Sequence, residues 1–105
     1  MSSLANTSWN INIQGTGGVL TFGASIAPPG QSGGNGNLLI QGDPTPFVWI
    51  EDGYDFMIQL QNQNPGYSTL TTYNGNHRGG SGNGWFSNFL VNFCTTPFSM
   101  TVNNG

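Results

Sequence analysis

Apolar and polar residues alternate with a period of two along most of this chain, and no helical period appears, which predicts half-buried β-strands. Trp9, Ile11 and Ile13 alternate with Asn10, Asn12 and Gln14, and Gly15 to Gly18 marks a turn. Leu20, Phe22 and Ala24 carry a second strand. The Pro- and Gly-rich stretch from Ala27 to Gly36 predicts a long loop, followed by a short third strand from Asn37 to Gln41. Gly42 to Pro46 is expected to be a break, and Phe47 to Glu51 a fourth strand with Phe47 and Trp49 on one face. Asp52-Gly53 is a hairpin signal that puts Glu51 to Asp55 at a solvent-facing turn. Tyr54 to Gln61 has the clearest alternation in the chain. After a connection at Asn62 to Gly66, the Thr-rich run from Tyr67 to Tyr73 predicts a sixth strand. A second Gly/Asn-rich loop is expected from Asn74 to Asn83. Gly84 to Asn92 is the seventh strand, with Trp85, Ser87 and Phe89 on its apolar face. Pro97 is a break, and Phe98, Met100 and Val102 make the eighth.

Eight evenly spaced strands predict an all-β fold: a small antiparallel up-and-down β-barrel spanning residues 1–105, with a β-sandwich as the alternative. Closure is favoured because the chain has few charges with which to guard an open edge. Only Asp43, Glu51, Asp52, Asp55 and Arg78 are formally charged, there is no lysine, and the net charge is −3. Nucleic acid and anionic membranes are therefore not expected partners. The glycine clusters lack the lysine of a phosphate loop. Cys94 is the single cysteine, which excludes an intrachain disulfide and a cysteine-rich metal site, and its expected role is packing. No cofactor or metal is implied. The first residues show no signal peptide, so a cytoplasmic or non-classically secreted protein is expected, or an extracellular one if Met1 is not native.

The opening Leu4-Ala5-Asn6-Thr7-Ser8-Trp9-Asn10-Ile11 resembles the first strand of lipocalin-like and avidin-like (calycin-type) barrels. Gly18 to Phe22 and Gly36 to Gly42 resemble the next two strands. That likeness implies a small-molecule ligand held within the barrel. Avidin-like barrels place an inward Asn two residues after the Trp; here that position is Ile11, so biotin is not implied and no ligand residue carries over.

From the residues themselves, the first expectation is a non-enzymatic module binding a neutral polar or amphipathic small molecule, such as a glycan. Aromatic rings would stack on the ligand, and amides and carboxylates would hydrogen-bond to it. The residues that fit are Asp52, Tyr54, Asp55, Tyr73, Asn74, Asn76, His77, Arg78, Asn83 and Trp85, with the loops 27–36 and 74–84 as the rim. Trp9, Trp49 and Trp85 have core packing as their default role, and His77 that of a solvated loop residue. A self-associating structural protein is the second expectation, since little charge opposes contact between copies. A small hydrolase joining His77 to the acidic cluster is the third.

Overall fold

The computed structural model of the chain describes residues 4–61, 71–88 and 92–103. Eight strands follow one another: β1 (Ser8–Ile13), β2 (Thr16–Ser25), β3 (Ser32–Ile40), β4 (Asp43–Asp52), β5 (Asp55–Leu60), β6 (Thr71–Arg78), β7 (Ser81–Asn88) and β8 (Asn92–Val102). They form a closed antiparallel barrel in chain order, the up-and-down topology expected. The seam is β1 against β8, from Trp9↔Val102 to Asn12↔Ser99. No helix of the described residues is long and apolar enough to cross a membrane.

Four hairpins turn in two residues, because Ile13 pairs with Thr16, Ile40 with Asp43, Asp52 with Asp55 and Arg78 with Ser81. In three of them both turn residues have positive φ: Gln14-Gly15, Gln41-Gly42 and Gly79-Gly80. This is the turn whose twist matches that of the flanking strands. At the Asp52 hairpin Gly53 alone takes positive φ, at the first turn position.

Several expectations are corrected. The stretch 27–36 is not one long loop, since β3 already runs from Ser32. Of the predicted break at 42–46 only Gly42 is in a turn; Asp43 to Pro46 are paired in β4, which carries Pro44 and Pro46. The predicted loop 74–83 is a β-hairpin built from β6 and β7 around Gly79-Gly80. Pro97 lies within β8, paired with Trp85. The expected strand at 67–70, the connection at 62–66 and Phe89 lie outside the described residues.

One physical cause underlies the corrections at 27–36 and 74–83. Inward-facing glycines sit directly opposite inward-facing rings: Gly34↔Trp49, Gly36↔Phe47, Gly75↔Phe56 and Gly84↔Phe98. A small barrel has room for only one large side chain of each such pair. A Cβ on Gly36 would lie 2.4 Å from the Phe47 ring. Composition alone makes such glycines resemble loop residues.

The interior is lined by rings and aliphatic chains. Phe22 meets Phe47 and Trp49 edge-on at 5.4 and 5.5 Å between centroids. Phe98 lies 6.4 Å from Phe56 and 5.5 Å from Tyr73. Leu20, Ile11, Ile58 and Met100 are buried among them. The buried indole of Trp49 donates to the Asn35 carbonyl at 3.1 Å, and that of Trp9 to Thr7 Oγ1 at 2.9 Å. A molecule seated on the barrel axis here would have to displace these rings.

Burial also raises the Tyr73 phenol from 10.0 to about 12. A folded-state value above the unfolded one means the contribution is complete below pH 10 and is lost as pH rises towards about 12. A two-unit difference corresponds to roughly 2–3 kcal/mol. Tyr73→Phe is expected to flatten the loss of stability across this alkaline window, measured by urea unfolding at a series of pH values. An unchanged slope would show that another group controls it.

Candidate functional site

The barrel has two sites of chemical interest, one inside and one outside. The inner one is at the end where β1 begins. Glu51 is the last inward residue of β4 and His77 the last of β6; they are 7% and 3% exposed. His77 Nε2 and Glu51 Oε2 are 2.6 Å apart. The other carboxylate oxygen, Oε1, accepts from Ser32 Oγ at 3.1 Å and from the Leu4 amide at 3.4 Å. The rings of Trp9 and Phe56 flank the imidazole at 5.9 and 6.0 Å. Leu4 is itself fully buried, and the turn from Leu4 to Thr7 is held by Asn6 N to Gly23 O and by Phe22 N to Thr7 O. This end of the barrel is thus closed by a turn anchored on a buried carboxylate.

The expectations of a solvated His77 and of a solvent-facing Glu51 are corrected by this geometry. His77 lies in a strand and shares the inward face of Tyr73 and Gly75, while Glu51 shares that of Phe47 and Trp49. The alternation already noted for Phe47 and Trp49, carried two residues further, identifies Glu51 as inward. Asp52 and Asp55 are exposed on the other side of the wall, so His77 does not join them.

The outer site is formed where cross-strand partners line up on the convex wall. Ile50 pairs with Met57, Met57 with Asn74, Asn74 with Trp85, and Trp85 with Pro97. One step nearer the closed end, Asp52 pairs with Asp55, Asp55 with Asn76, and Asn76 with Asn83. Directly opposed residues project from the same face, so the result is a row apolar except for Asn74 beside a polar row. Ile50, Met57 and Trp85 are 60%, 46% and 55% exposed. Between the rows is an open groove of about 410 Å³ lined by Ile50, Met57, Trp85, Asp52, Asp55 and Asn76 among others.

The expectation that Trp85 packs in the core is corrected. Gly84 is buried and Phe86 packs against the core, so β7 has the opposite facing from the one read from Trp85, Ser87 and Phe89. An inward Gly84 accommodates Phe98 and leaves the indole of the next residue on the surface.

Of the residues expected at a binding site, Asp52, Asp55, Asn74, Asn76 and Trp85 line this groove, and Asn83 extends its polar row. Tyr54 and Arg78 are nearby at the hairpin end, where the guanidinium sits 4.3 Å over the phenol ring. Tyr73 and His77 are inside the barrel and do not reach the group. Ile50 and Met57 join the groove without being among the expected site residues, although their alternation with the buried Trp49, Phe56 and Ile58 marks them as outward. The expected rim loops are largely the strands themselves.

A smaller depression of about 310 Å³ at the opposite end is lined by Leu38, Ile40, Asp43, Thr45, Leu60 and Tyr73. No group of three or more His, Cys, Asp or Glu residues among the described residues is arranged to hold a metal ion. Comparison of the chain with protein-family models, curated proteins and solved structures finds no match.

Proposed function

We propose that the protein is a non-enzymatic binding module for a neutral, polar or amphipathic molecule, a glycan in the first instance, taken up on the outer wall of the barrel. The observation that carries this reading is Trp85: an indole 55% exposed on a rigid strand, with Asn74 as its cross-strand partner and Asp52, Asp55 and Asn76 along the same groove. A pyranose offers an apolar C–H face and a rim of hydroxyls. The first matches an exposed indole, and the second matches amides that donate and accept alongside carboxylates that accept. Strands hold these groups in fixed register, so little ordering is required on binding.

Glycan-array screening followed by tryptophan-fluorescence titration tests this reading. Trp85→Ala is expected to weaken binding by tenfold or more while leaving thermal unfolding nearly unchanged, because surface substitutions change stability little. Absence of binding to every sugar, or binding that is indifferent to Trp85, would defeat it.

A second reading is supported by the same wall. Ile50, Met57 and Trp85 are large, exposed and neighbouring, and few charges oppose contact between two copies. Sedimentation velocity across a concentration series separates the two, since a strict monomer is incompatible with self-association through this face.

A further inference from the structure

We propose that the outer site is a track for an extended neutral oligosaccharide of about four units, lying across β7, β6, β5 and β4, and not a pocket for a single sugar; this rests on the glycan reading above. The inference comes from the register. The polar row Asn83, Asn76, Asp55, Asp52 and the row Trp85, Asn74, Met57, Ile50, apolar except for Asn74, run side by side across the same four strands. Neighbouring strands are about 4.8 Å apart, and residues two apart along a strand are about 6.7 Å apart. β7, β5 and β4 therefore each present one polar and one apolar contact, and β6 presents two amides, Asn76 and Asn74; these contacts repeat at nearly the length by which a sugar chain advances per residue. A monosaccharide would cover one or two of these steps and leave Ile50 and Met57 exposed. A chain with its C–H faces over Trp85, Met57 and Ile50, and its hydroxyl edge towards the amides and carboxylates, covers all four.

The charges narrow the ligand class further. Asp52 and Asp55 are two of the four carboxylates in the chain and sit at the β4–β5 end of the track, while the single guanidinium, Arg78, is engaged over Tyr54. Carboxylates accept from sugar hydroxyls and repel uronates and sulfates. The curvature of the wall selects as well. A chain following four of the eight strands of a closed barrel bends at its glycosidic linkages, which a free oligosaccharide does and the flat face of a crystalline polymer does not.

The test is a titration of the intact protein with two ladders, cellobiose to cellohexaose and maltose to maltohexaose, with an oligogalacturonate ladder as the acidic counterpart. Affinity for one neutral ladder is expected to rise at least tenfold from two to four units and then level off, and the acidic ladder is expected not to bind. Asp52→Ala, at the far end from Trp85, is expected to lower affinity for the tetrasaccharide about fivefold and for the disaccharide by a smaller factor; circular dichroism verifies the fold of the variant. Affinity that is flat beyond the disaccharide, equal sensitivity of short and long sugars to Asp52→Ala, or tighter binding of the acidic ladder overturns the track but leaves Trp85-dependent sugar binding standing. Absence of Trp85-dependent binding by every member of the ladders overturns both.

Discussion

His77→Ala is expected to cost about 3–5 kcal/mol of folding stability, the scale for breaking a buried hydrogen-bonded pair by removing one partner. The Glu51 carboxylate is buried, and His77 is its 2.6 Å partner. Losing the imidazole also opens space between Trp9 and Phe56. Glu51→Ala is expected to cost a similar amount, because Ser32 Oγ and the Leu4 amide lose their acceptor along with His77. The pair is diagnosed by combination. Glu51→Leu with His77→Phe fills the volume with apolar groups, and its cost is expected to fall well below the sum of the costs of Glu51→Leu and His77→Phe made singly. Urea unfolding of the singles and the double measures this. Additive losses would show that the two residues act independently.

Gly84→Ala is the second large effect, and it comes from adding one methyl group. A Cβ at this position would lie 2.0 Å from the Asn74 carbonyl oxygen and 2.6 Å from the Gly75 Cα. Both are backbone atoms of the adjacent strand, so no side chain can rotate aside and β6 must separate from β7. Overpacking of this kind costs about 1–3 kcal/mol where side chains yield; with only backbone to move, the upper end or beyond is expected. Gly79 provides the contrast. It carries positive φ, which Gly84 does not, and nothing lies within 4 Å of its Cβ position, so the strain there is conformational only. Gly84→Ala is therefore expected to lower the denaturation midpoint more than Gly79→Ala. The reverse order would mean that turn conformation, not strand contact, limits stability. Because Gly84 precedes Trp85, the variant is also expected to disturb the outer groove.

The sequence made the architecture legible wherever apolar alternation is uninterrupted. Trp9 to Ile13 and Phe56 to Leu60 face as read, and the barrel closes in chain order. Legibility failed where glycine occupies inward positions. Gly34, Gly36, Gly75 and Gly84 contribute nothing to an apolar pattern, and the information about their role is held by the ring across the ladder. Trp85 shows the local consequence: beside an inward glycine, the largest apolar residue of the strand is the outward one. Of the expected site, Asp52, Asp55, Asn74 and Asn76 are brought together because their register is fixed by the Gly53 turn and by β6 pairing, which composition only hints at. The place of His77 is not legible locally because its neighbours are the vocabulary of loops, while its partner is 26 residues away in the chain.

Strand order round the barrel is the same as strand order along the chain, so every ladder but one joins neighbours in sequence. The exception is the seam, where β1 meets β8 and Asn103 N donates to Ser8 O at 2.8 Å. A sheet that has formed its hairpins still has two bare edges until this contact is made. Closure at the seam therefore turns a row of locally paired ribbons into a single cooperative body. The anchored turn at Leu4 to Thr7 holds down the strand that makes that closure. The Glu51 carboxylate that receives Leu4 thus lies on the path from local pairing to global cooperativity, and it serves as a clasp for the barrel as well as a partner for His77.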